Sequence, residues 1–168
     1  MMTAGKSGLL LVVLAPMAFA WLVTPAHADP MRPGAEHCVV GVAPDDPLNL
    51  RAGPGAGHRV VTRLPYARCG LIVTASCRGN WCPVEDGHHA GWAHRRFIAA
   101  VSPGTNCLRP GQAVALRAWP AEQSRALTRL APQGCDIALL PYQVAGWQKI
   151  RQGGWEGWVR LSDLLSNE

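Results

Sequence analysis

Short runs in which apolar and β-branched residues alternate with polar ones follow one another along most of this chain. Turn-forming residues separate the runs, as in Gly53-Pro54-Gly55 and Glu85-Asp86-Gly87. Alternation with a period of two, broken by tight turns, is typical of β-strands. The predicted strands are 38–42, 48–51, 59–64, 70–75, 81–85, 91–93, 116–118, 125–130, 136–140, 147–151 and 157–160. The pattern therefore predicts an all-β protein built from small barrels.

The strand pattern occurs twice, because residues 48–98 match residues 114–164 at a constant offset of 66 residues without a gap. Positions kept in both copies are expected to serve the fold, and positions that differ are free to serve function. The kept pairs include Leu50/Leu116, Arg51/Arg117, Pro54/Pro120, Cys69/Cys135, Trp81/Trp147, Gly91/Gly157 and Trp92/Trp158. We therefore predict two domains, residues 36–100 and residues 104–165, called here the first and the second unit.

Two of the kept pairs carry specific expectations. Arg51 and Arg117 stand directly before a turn, and we expect each to tie down the loop that follows it. Trp92 and Trp158 each follow a glycine near the end of a unit, and we expect them to pack in the core.

An apolar segment at the start of the chain predicts export. Lys6 precedes apolar residues 8–23, and the small-residue sequence Ala26-His27-Ala28 follows. This order is typical of a secretory signal peptide, residues 1–28. A retained membrane anchor is the alternative, although the apolar stretch is shorter than the roughly 20 residues that span a bilayer. We expect a periplasmic or secreted chain without stable membrane insertion after cleavage.

Six cysteines, an even number, favour disulfides in an exported chain with units this small. The repeat selects the pairing. Two cysteines of each unit occupy matching positions, once three additional residues near the start of the first unit are allowed for, and the other two are absent together from the second unit. A pair present in both units is most simply a bond within each, and a pair lost together is most simply bonded to itself. The predicted disulfides are Cys38–Cys69, Cys77–Cys82 and Cys107–Cys135.

The charged residues argue against nucleic acid as a partner. The formal net charge of +5 falls to +4 without residues 1–28, and 14 of the 16 basic residues are arginines scattered along the chain, with no run longer than Arg95-Arg96. A nucleic-acid-binding surface usually concentrates such residues on one face.

Catalysis and metal binding find little support in the motifs. His88 and His89 lie near His94 and His58, but adjacent residues on a strand point to opposite faces and do not readily share an ion. No nucleophile elbow, zinc-protease motif or phosphate-binding glycine loop occurs in the sequence. We expect no catalytic residue, no metal and no cofactor, and hence not an enzyme.

Several motifs of the first unit resemble those of the bacterial SH3-like domain family. They are Asn49-Leu50-Arg51-Ala52-Gly53-Pro54, the tryptophan of Gly79-Asn80-Trp81, and Gly91-Trp92-Ala93. The second unit diverges, since Ala115 replaces the asparagine, and Trp119 and Ala121 replace two glycines. With the repeat, the resemblance covers most of residues 38–165 and implies two tandem SH3-like β-barrels.

The resemblance further implies a non-catalytic exported module that binds a cell-envelope ligand, above all peptidoglycan. The alternative is a protein-interaction module that regulates an envelope enzyme or a membrane protein. Aromatic side chains that the fold does not require can stack on sugar rings or peptide, or can pack between the units. Trp119, Tyr142 and Trp155 are such residues, because Gly53, Ser76 and His89 occupy their positions in the first unit. The candidate ligand-binding residues are Asn49, Trp81, Trp119, Tyr142, Trp147 and Trp155.

Overall fold

The computed structural model describes residues 31–43 and 45–165. The chain is all-β with two sheets, as the alternating pattern predicts. The predicted signal peptide, residues 1–28, lies outside the described residues. Within the described part of the chain, no helix has the length and apolar character needed to cross a membrane.

The first sheet has seven antiparallel strands in the order β3-β2-β6-β5-β4-β1-β7. Its strands are β1 Glu36–Val39, β2 Leu48–Arg51, β3 Val60–Leu64, β4 Leu71–Val73, β5 Trp81–Glu85, β6 Ala90–His94 and β7 Ile98–Ala100. Strand β7 falls in a segment that lacks a clear alternating pattern, and it pairs with β1 to close the first unit. A short 3-10 helix, Arg95–Phe97, connects β6 to β7.

The second sheet has five strands in the order β10-β11-β12-β8-β9. They are β8 Val114–Arg117, β9 Ala126–Leu130, β10 Ala138–Val144, β11 Trp147–Gln152 and β12 Trp155–Arg160. Matched at the offset of 66 residues, this is the order of β2 to β6 in the first sheet. The entry and exit strands are reduced to two isolated bridges, Asn106 with Ile137 and Leu108 with Leu164.

Each sheet surrounds its own apolar core. All seven strands of the first sheet contribute to one buried cluster, from Leu64 on one edge strand to Ile98 on the other. Because both edges reach the same cluster, the sheet must curve strongly around it. Leu50 and Leu116 are fully buried at matching positions of the two cores. Truncating a buried leucine to alanine typically costs about 2–5 kcal/mol.

Structural contacts explain why glycine and arginine occupy the same positions in both units. A Cβ on Gly91 would lie 2.8 Å from the Arg51 carbonyl oxygen, and one on Gly157 would lie 2.7 Å from that of Arg117, so only glycine lets these strands approach. The Arg51 guanidinium donates to the His58 carbonyl at 2.8 Å, and Arg117 makes the same bond to Ser124 at 2.8 Å. Both arginines therefore hold the following loop, as predicted.

The core prediction for the two tryptophans after these glycines is wrong. Strand β6 buries Ala93 rather than Trp92, and β12 buries Val159 rather than Trp158. The close approach of the glycines fixes the register, and alternation then turns each tryptophan to the outer face. Trp92 lies under the Arg78 guanidinium, with 5.4 Å between the Cζ atom of Arg78 and the centroid of the Trp92 ring.

The three predicted disulfides are confirmed, and the described residues hold no free cysteine. Cys38–Cys69 and Cys107–Cys135 close loops of similar length, with sequence separations of 31 and 28 residues, while Cys77–Cys82 spans only 5. Three disulfides fit a protein that folds outside the reducing cytoplasm.

The two units pack against each other through a third buried cluster. Cys38 of the first unit and Leu140 and Tyr142 of the second form its centre, and Trp158 packs against them. The Tyr142 hydroxyl donates to the Val39 carbonyl across the boundary at 2.8 Å. The disulfide between Cys38 and Cys69 therefore has a second role, because it forms part of the surface on which the second unit rests.

A bidentate ion pair reinforces this contact. The two terminal nitrogens of Arg151 lie 2.9 Å and 3.0 Å from the two carboxylate oxygens of Glu36. The carboxylate of Glu36 is the main reason that the pKa of Arg151 is raised, against an opposing effect of burial, with Glu156 adding to the increase. Linker residue Ser102 donates its amide to the Leu139 carbonyl at 2.9 Å, which fixes the chain between the units.

Candidate functional site

The first unit carries an open cleft of about 490 Å³ beside strand β2, called here the first cleft. Trp81 and His94 form one wall, from the paired ends of β5 and β6, and Phe97 continues it from the 3-10 helix. Asn49 and Arg51, from alternate positions of β2, also line the cleft. The cleft combines aromatic surface with a few polar groups, which is typical of ligand sites.

Three rings of the first cleft form a continuous aromatic surface. The ring centroids of Trp81 and His94 are 5.2 Å apart in an edge-to-face arrangement, and those of His94 and Phe97 are 5.9 Å apart. Arg96 lies over Phe97 at 4.6 Å from the ring centroid, so a guanidinium borders the aromatic surface. Trp81, His94 and Phe97 are all half-buried, which leaves part of each ring open to the cleft.

Polar groups that line the first cleft are held in place by neighbouring residues. Asn49 Oδ1 accepts a hydrogen bond from Arg63 Nε at 3.3 Å, and Arg51 is held by the loop carbonyl of His58. Asp46 is exposed at the rim. The rim therefore presents both a carboxylate, from Asp46, and a guanidinium, from Arg96.

The second unit has a cleft at the corresponding place, of about 370 Å³, called here the second cleft. The two clefts are lined largely by positions that match at the offset of 66 residues, and the residue types differ at most of these positions. Six matching positions are Asn49/Ala115, Arg51/Arg117, Ala56/Glu122, Trp81/Trp147, His94/Arg160 and Phe97/Asp163. The units share the location of a cleft and differ in its chemistry.

An ion-pair network covers the tryptophan of the second cleft. Arg160 lies 4.3 Å above the ring centroid of Trp147, and its Nε atom donates to Glu122 Oε1 at 2.7 Å. Arg117 Nη2 lies 3.5 Å from the other oxygen of Glu122. Trp147 is only 4% exposed as a result. In the first cleft, Ala56 and His94 replace Glu122 and Arg160, so no such cover exists over Trp81.

The structure separates the six predicted ligand-binding residues. Asn49 and Trp81 lie together in the first cleft. Trp147 is buried under Arg160, and Tyr142, 5% exposed, takes the other of its two predicted roles by packing between the units. Trp119 and Trp155 are 72% and 49% exposed, and neither lines either cleft.

Sequence reasoning missed His94 and Phe97 as parts of the aromatic wall. Both occupy positions at which the two units differ, with Arg160 and Asp163 as counterparts. The difference between the units at these two positions is the signal in the sequence that points to them.

The adjacent histidines lie in the turn between β5 and β6, away from both clefts. Asp86 Oδ1 accepts backbone hydrogen bonds from His88 at 3.0 Å and His89 at 2.7 Å. Burial alone would raise the pKa of Asp86, but these bonds and the adjacent His89 ring outweigh it, so the pKa lies below its ordinary value. Across residues 31–43 and 45–165, no three His, Cys, Asp or Glu side chains are grouped closely enough to hold a metal ion.

In a comparison with known protein families, residues 45–99 match the family model described as the bacterial SH3 domain. These residues contain every strand of the first unit except β1 and the last residue of β7. The first cleft therefore lies largely within the matched segment. A family with this description is consistent with a binding module.

Among solved structures, the chain is similar to two proteins of Trichomonas vaginalis. For NlpC2 the identity is 9% and the TM-score 0.38, with 81% of this chain and 49% of that chain covered. For NlpC1 the identity is 11% and the TM-score 0.38, with coverages of 91% and 52%. The chain thus spans about half the length of each. No curated protein sequence matches it.

Proposed function

We propose that this protein is an exported, non-catalytic binding module that recognises peptidoglycan through the first cleft. The observation that carries the proposal is the open aromatic wall of Trp81, His94 and Phe97 within the segment that matches the bacterial SH3 domain. The covered tryptophan of the second cleft points the same way, because it leaves Trp81 as the more exposed of the two matched tryptophans.

The chemistry of the first cleft suits a glycopeptide. Aromatic faces stack on sugar rings and on aliphatic peptide surface. Peptidoglycan stem peptides carry both amino and carboxylate groups, and the rim offers Asp46 for the former and Arg96 for the latter. Asn49 adds an amide held at a fixed position by Arg63. Such a cleft binds and orients without a group placed to break a bond.

Export is supported by the three disulfides and by the order of residues in the N-terminal segment 1–28. Disulfides persist in oxidising compartments such as the periplasm and the extracellular space. We place the mature protein in one of these, where peptidoglycan is accessible.

Co-sedimentation of the oxidised mature protein with purified cell-wall sacculi tests the proposal. The wild type should pellet with the sacculi, and no soluble wall fragments should be released. The informative variant is Ala56→Glu with His94→Arg, called here the closed-cleft variant, which places over Trp81 the two residues that cover Trp147 in the second cleft. The second unit already accommodates these residues at the matching positions, so the fold should be retained.

The closed-cleft variant should lose most of its binding to sacculi. Trp155→Ala serves as the control, because it removes an exposed tryptophan outside both clefts and should pellet like the wild type. Failure of the wild type to co-sediment would remove peptidoglycan as the ligand. That result would favour the alternative, in which the cleft binds an envelope protein.

A further inference from the structure

A second aromatic surface lies where the two units meet. It surrounds a groove of about 460 Å³, called here the inter-unit groove. Tyr66 and Ala67 of the first unit form one side, and Trp119, Trp158, Lys149 and Glu156 of the second unit contribute the other. Neither unit alone contains it. This groove is separate from the first cleft, with which it shares no lining residue.

Packing and a hydrogen bond hold the floor of the inter-unit groove in place. Tyr142 lies beneath it, buried and fixed across the boundary by its hydrogen bond to Val39. Tyr66 packs on Tyr142 edge-to-face with ring centroids 5.5 Å apart, and is 48% exposed. Lys149 Nζ lies 5.3 Å from the Tyr142 ring centroid. A preformed aromatic surface of this kind loses little conformational entropy when it binds a ligand.

A local exchange of residues explains why Trp119 reaches outward. In the first unit the same loop has Gly53, and the His58 ring occupies the space where a Cβ would lie, at 2.7 Å. In the second unit the counterpart of His58 is Ser124, whose hydroxyl instead accepts the Trp119 amide at 2.8 Å. The smaller serine makes room for a side chain at position 119. Trp119 is then 72% exposed beside the groove, the largest exposure among the large apolar side chains of the described residues.

The charges of the inter-unit groove balance within it. Lys149 Nζ and Glu156 Oε2 are 3.7 Å apart, and Glu156 also contacts Arg151, which is itself paired with Glu36. The groove thus offers hydrogen-bond donors and acceptors but no unpaired charge to attract an ion. An uncharged polyhydroxylated ligand complements a surface with aromatic faces and paired polar groups.

We propose that the inter-unit groove is a second binding site and that its ligand is an uncharged oligosaccharide. Trp119 and Tyr66 stack on successive sugar rings, while Lys149 donates hydrogen bonds to ring hydroxyls and Glu156 accepts hydrogen bonds from them. The site does not depend on the first cleft. The two units are held together so that one surface can be built from both.

Titration of the full, oxidised mature protein with chitotetraose, an uncharged tetramer of N-acetylglucosamine, tests this site by calorimetry and tryptophan fluorescence. Saturable binding is expected for the wild type. Trp119→Ala should weaken it by about tenfold, within the range of a lost aromatic stacking contact. Trp155→Ala is the matched control, since Trp155 is also an exposed tryptophan of the second unit but lies outside the groove. It should bind within twofold of the wild type.

The closed-cleft variant, Ala56→Glu with His94→Arg, separates this site from the first cleft. Retained chitotetraose affinity in that variant supports a separate inter-unit site, even if sacculus binding is lost. Loss of chitotetraose affinity there would place the sugar in the first cleft and overturn the inference. Absence of saturable binding by the wild type, or equal losses in Trp119→Ala and Trp155→Ala, would also overturn it. Trp119-dependent binding of a proline-rich peptide without any binding of chitotetraose would refute the sugar as occupant.

Discussion

Replacing Tyr142 by phenylalanine removes a single oxygen atom from the contact between the two units. The hydroxyl donates to the Val39 carbonyl at 2.8 Å, and the ring it leaves behind keeps its place in the buried cluster. The Val39 carbonyl also accepts the Ala67 amide at 3.2 Å, so it is not left without a partner. The cost should therefore be that of one hydrogen bond, about 1 kcal/mol, and not the larger cost of an orphaned buried acceptor.

Urea unfolding of the oxidised protein measures this difference. With a slope of about 2 kcal/mol per molar urea, the midpoint should fall by about 0.5 M. Tyr66→Phe is the control, because Tyr66 is half exposed and its hydroxyl bonds to no described residue. That variant should unfold at the wild-type midpoint. An unchanged or higher midpoint for Tyr142→Phe would refute a stabilising bond between the units.

The same substitution should change stability at alkaline pH. Burial, and next the neighbouring Tyr66 and Glu156, raise the pKa of Tyr142 above its ordinary value of 10.0. A group whose pKa is raised by folding stabilises the fold fully below its unfolded pKa, and this stabilisation is lost as the pH rises above that value. The stability of the wild type relative to Tyr142→Phe should therefore fall as the pH rises above about 10. An equal dependence in both proteins would contradict a buried, protonated Tyr142.

Three further predictions concern the disulfides, Asp86 in the turn between β5 and β6, and the second cleft. Cys107→Ala with Cys135→Ala should lower the free energy of unfolding by about 4 kcal/mol, and Cys77→Ala with Cys82→Ala by about 2 kcal/mol, because the closed loops differ in length. Urea unfolding measures both differences, and the reverse order would contradict the loop-length reasoning. As the pH falls from 5 to 3, the Asp86→Asn variant should lose less stability than the wild type. A carboxyl with a lowered pKa stabilises the fold above its unfolded pKa and loses that contribution on protonation. Thermal unfolding measures this, and an equal fall of the melting temperature with pH in both proteins would contradict the effect. Glu122→Ala with Arg160→His should uncover Trp147 and increase acrylamide quenching of tryptophan fluorescence. The increase should disappear when Trp147 is also replaced by phenylalanine. Equal quenching of the wild type and the double variant would show that the ion pairs do not cover the ring.

Much of the fold could be predicted because the repeat supplies two solutions to the same structural problem. The strand order recurs between the units, and the three disulfides follow from which cysteines are kept and which are lost together. The loop contacts of Arg51 and Arg117 could be inferred in the same way. These features depend on local patterns that each unit must satisfy on its own.

The parts that could not be predicted depend on contacts between distant residues. Alternation alone did not show that Gly91 must face inward against Arg51, which is what places Trp92 outside. The pairing of Tyr142 with Val39 crosses 103 residues and has no counterpart in the first unit. The cover over Trp147 requires Glu122 and Arg160 together, 38 residues apart, and neither signals the other in the sequence.

The first cleft as the ligand site is tested most directly by NMR of the ¹⁵N-labelled oxidised protein with soluble peptidoglycan fragments. Each tryptophan indole N–H gives its own signal, and Trp81 and Trp147 occupy matching positions, of which Trp81 is half-buried and Trp147 is 4% exposed. The Trp81 indole signal should shift progressively with added fragment while that of Trp147 stays in place. A shift of Trp147 without one of Trp81, or no shift of either, would contradict recognition through the first cleft.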